Sequence, residues 1–506
     1  MLPRIFHRST SLSPLRSISL SPLLLARLSR LSPIPLSHRV LRTEHTLPAS
    51  RQQMRVVTAG GKSVPPDPEP DYLPLDDTES PYQYRPGGFH PVAIGDVFID
   101  RYSIIHKLGH GGYSTTWLAK NQKVGQYVAI KIQAALVGGG FHEAETLRAL
   151  GTSLAHDGQS AIPPVLDQFI ICGPNGKHNA IVTPPAMMSL MDAKEGSYVC
   201  LFQLPVARAI AAQLARAVAF VHSRGIVHGG KPCPGCSMLI RCPGTNTHIH
   251  QDLHTGNVLL CLPSSLDALS PEQLYTRYRK PDPQEVKCMT GRPIPKGVPT
   301  HCYHAIWLGR PSEDVSLSES RIVLTDFGVS HDPAKSPKFS SQIPVQLTPP
   351  EVWFLSNEPV SFPADIWSLA CTIWSIVAQG DLFEGCSKGE IMKEQFETFG
   401  KFPSGWWERF ELRPRWFDEE GVRNDGYPAR TWATRYEDSI REPREEADME
   451  TMGPEEKEAF LGLLKSMLKW WPNERISAEE VLQSEWMQKW AFPELENIDK
   501  ISKVDG

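Results

Sequence analysis

The sequence predicts an α+β protein with two lobes, a small β-rich front and a larger, mostly helical back. Runs of β-branched and apolar residues typical of strands are concentrated before residue 187 and enclose a single helical pattern. From residue 365 onward, the apolar residues recur at helical spacing instead. At 506 residues, the chain is also longer than one hydrophobic core usually organises, so at least two lobes are expected.

Composition narrows the class of protein. A charged fraction of 22% and a net charge of −5 are typical of an ordinary soluble enzyme and argue against direct nucleic-acid binding. Ten cysteines in a chain of this length do not form a disulfide framework, and we expect them to be reduced. No apolar run reaches the ~18 residues of a membrane-spanning helix, so no transmembrane segment is predicted.

Residues 1–45 and 46–95 are predicted to lie outside the folded lobes. The first acidic residue is Glu44, and arginines punctuate a Ser- and Leu-rich stretch before it. That composition fits a mitochondrial transit peptide, a disordered basic tail, or translation assigned to an upstream start codon. Residues 46–95 are rich in proline and acids and predict an extended linker, with order beginning near Tyr102.

The predicted N-lobe spans residues 96–187. RYSIIHKLGHGGYSTTWLAK predicts a hairpin around a glycine cluster, and Tyr127 to Gln133 predicts a buried strand. Phe141 to Leu150 then predicts a helix, and an apolar strand around Ala180 to Thr183 ends at two prolines.

The predicted C-lobe spans residues 188–495. Its first long helix starts at Pro205, and the residues 262–320 form a loop-rich excursion between two strands. RIVLTDFG returns to strand, and three further helices are predicted within DIWSLACTIWSIVA, EEKEAFLGLLKSML and SAEEVLQSEWMQKW.

The glycine cluster in the hairpin is a candidate phosphate-binding loop. Glycines let backbone N–H groups approach phosphate oxygens without an intervening Cβ. Thr116 stands where a valine packs better on a purine, so we expect a weaker adenine contact there. The candidate nucleotide-binding residues of this hairpin are Leu108, Gly109, His110, Gly111, Gly112, Ser114 and Thr116.

Lys131 ends the sequence VAIK on the next strand. In that motif, the lysine binds phosphates and forms an ion pair with a glutamate of the following helix. Glu143 is the preferred partner because Leu147, four residues on, would pack inward beneath it. Glu145 is the alternative.

Two acidic motifs complete a site for phosphoryl transfer. Asp252 and Asn257 in D-L-H-x-x-N suit a base that orients a hydroxyl and an amide ligand of Mg²⁺. Asp326, in DFG after the strand RIVLT, suits a second Mg²⁺ ligand, with Phe327 packed beneath the helix that carries Glu143.

Three downstream residues add structural expectations. Glu351 of PPE is expected to form an ion pair with Arg475. Asp365 is expected to cap an apolar helix and to bind the backbone of the catalytic loop. Seven motifs occur in the order typical of a eukaryotic protein kinase, and they predict its bilobal fold. They are the glycine loop, VAIK, the helix glutamate, D-x4-N, DFG, PPE and the D-x-W helix.

From about Tyr84 to Trp490, the chain resembles the fungal SR-protein-kinase branch of serine/threonine kinases. The resemblance rests on YRPGGFHPVAIGDVF, KLGHGGYSTTWLAK, VAIKIQ, DLHTGNVLL, TDFG and TPPEVW. It implies a non-specific serine/threonine protein kinase that uses ATP and Mg²⁺, acts as a monomer, and phosphorylates basic or Arg/Ser-rich splicing-type proteins. It also implies nucleotide contacts by Ala129, Thr183 and Leu259. His254 replaces a lysine that is frequent in kinases, so we expect altered pH dependence.

The resemblance also carries expectations about regulation and location. The residue before Asp252 is not arginine, so activity should not require phosphorylation of the activation loop. The family suggests cytoplasm or nucleus, whereas a transit peptide would direct the chain to the mitochondrion.

Residues 230–251 interrupt the motif between Gly229 and Asp252. Cys233, Cys236, Cys242 and His248 have a spacing that suits zinc, so one interpretation is a metal site. A second is a surface loop. The third, which we favour, is a retained intron, since codons 230–231 and 251–252 can encode splice signals that rejoin Gly229 to Asp252 in frame. Either His228 or His250 leads into the catalytic loop, and His228 is preferred.

Two alternative functions remain at the level of sequence. The interruption before Asp252 is compatible with a catalytically impaired scaffold of kinase fold. D-L-H-x-x-N also occurs in small-molecule phosphotransferases, which PPE, Arg475 and the D-x-W helix disfavour.

Overall fold

The computed structural model describes residues 72–135, 142–152, 157–229, 253–262, 265–338, 344–355 and 358–504. They lie within one compact unit, Glu69–Gly506. The predicted tail and transit peptide, and the interruption with its cysteines, His248 and His250, fall outside the described residues. Asp252 and Phe141 do so as well.

The N-lobe is built on a six-stranded antiparallel sheet with the order β1-β2-β3-β4-β6-β5. Helix α1, His142–Gly151, is the helical pattern expected after the third of the long strands. The predicted hairpin is β2 and β3, and the predicted buried strand is β4. The strands are β1 Val97–Phe98, β2 Tyr102–His110, β3 Ser114–Asn121, β4 Tyr127–Gln133, β5 Asp167–Gly173 and β6 Gly176–Thr183.

One face of this sheet is filled by apolar side chains. Ile104, Trp117, Ile130 and Val182 have at most 1% of their surface exposed and form one cluster. They alternate with residues that point to the other face, because successive side chains of a strand face opposite ways. The opposite face is therefore available for the polar residues of the candidate site.

The prediction of an extended linker up to Gly95, with order from Tyr102, is wrong from Tyr72 onward. Tyr72, Tyr84 and Phe89 are buried in a cluster with Val286 and Cys302. Aromatic residues spaced among prolines and acids supply enough apolar surface to fix this segment, although its overall composition is that of a linker.

The same N-terminal segment contributes a buried charge. The carboxylate of Glu79 forms an ion pair with Lys107 of β2, and their side chains are 1% and 0% exposed. The hydroxyl of Tyr84 donates to Glu79 as well. Glu79, which lies in the predicted linker, is thus a component of the N-lobe.

The C-lobe begins with a three-stranded antiparallel sheet in the order β11-β8-β7. Its strands are β7 Ala186–Ser189, β8 Val258–Cys261 and β11 Ile322–Leu324. Because β8 and β11 pair directly, residues 262–320 form an excursion between neighbouring strands, as predicted. The excursion contains a short helix and a two-stranded hairpin, β9 Pro283–Glu285 with β10 His301–Tyr303.

Helices form the rest of the C-lobe. They are α2 Leu190–Glu195, α3 Leu204–Ser223, α4 Pro271–Tyr278 (in the excursion), α5 Glu351–Phe354, α6 Phe362–Val377, α7 Lys388–Phe399, α8 Trp406–Arg409, α9 Trp432–Tyr436, α10 Glu442–Glu446, α11 Pro454–Met467, α12 Ala478–Leu482 and α13 Phe492–Val504. The last predicted helix is therefore divided, with a π-helical turn at Met487–Ala491, and α13 extends past the predicted boundary at residue 495.

Helix α3 is the central helix of the C-lobe. It is long and apolar enough to cross a membrane, but 83% of its apolar window is buried inside the protein. Leu214 and Val218 of the predicted stripe are 0% and 1% exposed. Burial within the lobe accounts for its apolar composition.

Candidate active site

Lys131 lies at the centre of a three-residue contact between the lobes. Its ammonium nitrogen is 2.7 Å from a carboxylate oxygen of Glu143 and 2.7 Å from a carboxylate oxygen of Asp326. The first partner comes from α1 and the second from the segment that follows β11. Glu143 is therefore the ion-pair partner, as predicted, and Glu145 is exposed on the same helix.

Neighbouring charges determine the protonation states of Lys131 and Asp326. Burial alone would lower the pKa of Lys131, but Asp326 and Glu143 outweigh burial and raise the lysine pKa above its usual value. Burial likewise tends to raise the pKa of Asp326, and the adjacent Lys131 ammonium lowers it below the usual range. A cationic lysine and an anionic aspartate are thus the stable forms.

Glu143 has a second partner that sequence reasoning missed. The side-chain amide of Gln133 donates to the other carboxylate oxygen at 3.0 Å. Gln133 follows Lys131 by two residues, so the two side chains project from the same face of β4. That alternation was the signal that would have identified it.

The register of the sheet places the predicted nucleotide contacts on one face. Thr116 pairs with Gly109 on one side and with Lys131 on the other, and Ala129 pairs with Thr183. Directly opposed residues in antiparallel strands project to the same side. Ser114, Ala129 and Lys131 also share that face by the two-residue alternation of a strand.

The glycine turn leaves open space beside this face. An added Cβ at Gly109 or at Gly111 would meet no atom within 4 Å. Leu108 and Gly112 are half-buried, and His110 and Gly111 are exposed. The turn therefore allows a ligand to approach the backbone closely.

Asp326 is held in an unusual backbone conformation. Its φ of 65° and ψ of 61° lie in the left-handed region, which is costly for a residue other than glycine. Phe327, next in the chain, is fully buried, and its ring is 4.7 Å from that of His228. The strained aspartate is fixed by a buried aromatic neighbour.

The two predicted metal ligands are linked through Thr325. The backbone N–H and the hydroxyl of Thr325 each donate to the carbonyl oxygen of Asn257 at 2.9 Å. Because Thr325 precedes Asp326, Asn257 and Asp326 lie on neighbouring, hydrogen-bonded backbone segments. Leu259, two residues after Asn257, lies on β8 between Ser189 and Val323.

His254 caps the short turn that contains Asn257. Its Nδ1 accepts the backbone N–H of Gly256 at 3.0 Å, so the neutral ring carries its proton on Nε2. The expectation that His254 acts as a neutral one-bond donor is consistent with this tautomer.

His228 packs against Phe327 of the DFG motif, as one of the two candidate histidines was expected to do, and His250 lies outside the described residues. The backbone N–H of His228 donates to Asp365 at 2.7 Å, and its ring nitrogen Nε2 lies 3.0 Å from the carbonyl oxygen of Thr325. Burial lowers the pKa of His228, so the ring is neutral.

Asp365 binds the backbone as predicted but does not cap its helix. Its carboxylate accepts the N–H groups of His228 and Gly229 and contacts His222 at 3.0 Å. Helix α6 already begins at Phe362, one turn earlier, because a proline in its first turn favours that start. The capping prediction is therefore wrong.

The predicted pair of Glu351 and Arg475 is confirmed. Two guanidinium nitrogens of Arg475 lie 2.7 and 2.6 Å from the two carboxylate oxygens of Glu351. The arginine side chain is 0% exposed, so this is a bidentate, buried contact between α5 and the end of the C-lobe.

Comparison with known proteins identifies protein kinases as relatives of this chain. The protein kinase domain family matches residues 313–487. A serine/threonine protein kinase of Aspergillus fumigatus is 25% identical over 79% of this chain and 88% of its own length. The serine/threonine-protein kinase SRPK of Physarum polycephalum is 26% identical over 81% of this chain and 91% of its own. Human SRSF protein kinase 3 is 29% identical over 37% of this chain and 30% of its own.

Fold, site and relatives together define a protein kinase of the serine/threonine type. Within that class, the chain is similar to the SRPK-type kinases and to a fungal kinase, as its sequence motifs predicted. ATP use together with a divalent metal is a general property of this class.

Proposed function

We propose that this kinase transfers the γ-phosphoryl group of ATP to serine or threonine hydroxyls of basic, Arg/Ser-rich proteins. The observation that carries the proposal is the double contact of Lys131 with Glu143 and Asp326, each at 2.7 Å. An arrangement of this kind holds a lysine and a metal-binding carboxylate in position before substrate arrives.

The residues fit ATP and Mg²⁺. The space beside Gly109 and Gly111 admits phosphates, and Lys131 supplies a cation next to it. Asp326 and Asn257 offer carboxylate and amide oxygens, the ligands that Mg²⁺ prefers. Bound Mg²⁺ would neutralise charge on the transferring phosphoryl group. Ala129, Thr183 and Leu259 would contact the adenine.

Each protein group has one task in this proposal. Lys131 binds the α- and β-phosphates, and Glu143 fixes the direction of its ammonium. Asp252 accepts the proton of the substrate hydroxyl and orients it. His254 donates from Nε2 towards the γ-phosphate. Since Asp326 and Asn257 are joined through Thr325, the two metal ligands move together.

The names of the relatives and the net charge of the chain support the proposed substrate class. Relatives are named SRPK and SRSF protein kinase, and the whole chain carries 57 acidic against 52 basic residues. A net charge of −5 is small for a chain of this length, but its sign favours the approach of arginine-rich segments. We propose a monomer that acts on such proteins without binding nucleic acid itself.

A labelling experiment tests the proposal. Purified full-length protein is incubated with radiolabelled ATP and Mg²⁺ and, in separate reactions, with an Arg/Ser peptide, a basic protein without Arg/Ser repeats, or an aminoglycoside. We expect label in the peptide, none in the aminoglycoside, and loss of labelling in D326A. The matched control D332A, six residues on in the same segment, should label normally.

The outcomes separate the alternatives. Label in the aminoglycoside alone would show a small-molecule phosphotransferase. Label in the basic protein but not in the Arg/Ser peptide would overturn the substrate class only. No label in any acceptor, with nucleotide still bound, would favour the impaired scaffold, for which the interruption before Asp252 provides a reason.

A further inference from the structure

Two consecutive residues in the first turn of α1 contact two different parts of the site. Glu143 binds Lys131, whereas the ring nitrogen Nε2 of His142 lies 2.7 Å from the carbonyl oxygen of Ser330. A carbonyl only accepts, so His142 carries a proton on Nε2 and donates it. Helix α1 is therefore joined, four residues after Asp326, to the stretch 327–338, here called the activation segment.

The contacted stretch is itself attached to the catalytic loop. His331, next to Ser330, exchanges two backbone hydrogen bonds with Val227, of 2.8 and 3.0 Å. Val227 precedes His228, whose N–H is held by Asp365. A continuous series of hydrogen bonds thus runs from α1 through residues 330–331 to the start of the catalytic loop.

No other hydrogen bond in the described part of the chain joins α1 directly to residues 327–338. The second partner of Glu143, Gln133, belongs to the N-lobe sheet and cannot serve that purpose. On the catalytic-loop side, neither Gly229 nor Gln251, the two candidates for the residue before Asp252, is an arginine that could clasp a phosphorylated residue. The activation segment is instead attached to α1, through the hydrogen bond between His142 and Ser330.

We infer that His142 is a positioning residue that holds α1 and the activation segment in their active arrangement without a phosphate. The inference rests on the proposed kinase function. His142 is an exposed residue, so its hydrogen bond to Ser330 should stabilise the structure as much as one ordinary hydrogen bond does. That free energy corresponds to a change of about fivefold in the ratio of active to inactive arrangements. Loss of the bond should lower turnover by about that factor.

The experiment compares three variants of the full-length, phosphatase-treated protein. His142→Ala removes the donor, and His142→Gln keeps an N–H donor at similar reach. Glu145→Ala changes an exposed residue of the same helix and serves as the control. The readouts are kcat, KM for ATP, melting temperature, and hydrogen exchange at the amides of Val227 and His331.

We expect His142→Ala to lower kcat about fivefold and to speed exchange at both amides, with the melting temperature of wild type. His142→Gln should recover most of the turnover and most of the protection from exchange, and Glu145→Ala should match wild type. Wild-type turnover and exchange in His142→Ala would overturn the inference. Because exchange needs no substrate, it tests His142 even if the wild type phosphorylates nothing, which would overturn the proposed function instead.

Discussion

Asp365 and Thr372, two turns apart on α6, hold the two ends of the chain interruption. Asp365 accepts the N–H of Gly229 at 3.1 Å, and the hydroxyl of Thr372 donates to the carbonyl oxygen of Leu253 at 2.8 Å. Seven residues of helix span about 10 Å, which is also about the reach of three extended residues. A chain in which Asp252 alone joins Gly229 to Leu253 would therefore be long enough to reach both anchors.

Deleting residues 230–251 should consequently preserve the fold and improve catalysis. Both anchors remain, and Asp252 is fixed by a short connection rather than a long one, so we expect kcat/KM to rise by up to about 10²-fold. Steady-state kinetics on the Arg/Ser peptide measures this, with D252A in the deleted form as the inactive control. An insoluble or inactive deletion variant would contradict the prediction, and a mature transcript that always carries these codons would refute the intron interpretation.

Glu143 and Glu145 provide a matched pair of substitutions. Glu143→Gln keeps the shape but removes the charge that orients Lys131, so we expect kcat/KM to fall about 10²-fold. Glu145→Gln should leave kinetics unchanged, since Glu145 is exposed. Equal effects of the two substitutions in the same peptide assay would show that the ion pair with Lys131 is not used.

The bidentate pair of Glu351 and Arg475 should contribute mainly to stability. Arg475→Met leaves Glu351 without its counter-charge, and Glu351→Gln leaves the buried guanidinium only partly paired. We expect each to lower the free energy of unfolding by about 3 kcal/mol, with a double variant that loses much less than the sum. Urea unfolding of the wild type, the two single variants and the double variant gives a double-mutant cycle. Strictly additive losses of unfolding free energy would contradict a direct interaction between Glu351 and Arg475.

Acid should destabilise the docked N-terminal segment. Burial, and then the neighbouring His178, lower the pKa of His90 to about 4 from an ordinary value near 6.5. Between these values, the unfolded chain binds a proton that the folded chain does not, so stability falls as pH is lowered from about 6.5 towards 4.

Replacing His90 with Gln should remove part of that slope. The free energy of unfolding, measured with urea at several pH values, should depend less on pH between 4 and 6.5 in the variant than in wild type. Parallel curves for the two proteins would mean that His90 is not buried in the folded state.

Phosphatase treatment should leave kinase activity intact. The residue before Asp252 provides no arginine for a phosphate, and α1 already contacts Ser330 directly. Activity of the purified protein is compared before and after complete dephosphorylation, verified by mass spectrometry. Loss of activity that returns on rephosphorylation would contradict the prediction.

The site was predictable where chemistry dictates residue type and spacing. Lys131 ends the VAIK motif within a buried strand, and that motif predicts a glutamate partner on the next helix. Helical periodicity then favours Glu143 over Glu145. His142 gave no such signal, because its partner is a backbone carbonyl almost 200 residues later, and any residue type supplies a carbonyl. Such contacts depend on the path of the chain, which local patterns do not encode.

The two corrections have physical causes of the same kind. Asp365 resembles a helix cap in sequence, yet Pro363 sets an earlier start and frees its carboxylate for His228 and Gly229. Glu79 lies among prolines and acids, and its burial depends on Lys107, a residue of a different segment. In both cases, a contact with a residue distant in sequence determines the role of the side chain, and the neighbouring residues do not predict that contact.

The pairing of Glu79 with Lys107 has a practical consequence for any fragment of this protein. A piece that begins at the first strand of the sheet would retain Lys107 in a dry interior, where burial lowers its pKa to about 7, while lacking the Glu79 carboxylate that pairs with it. An uncompensated buried charge of that kind costs about 3–5 kcal/mol, a large share of the stability of an ordinary domain. The smallest autonomous folding unit therefore includes the segment from Tyr72 to Phe89, which should be expressed together with the catalytic lobes.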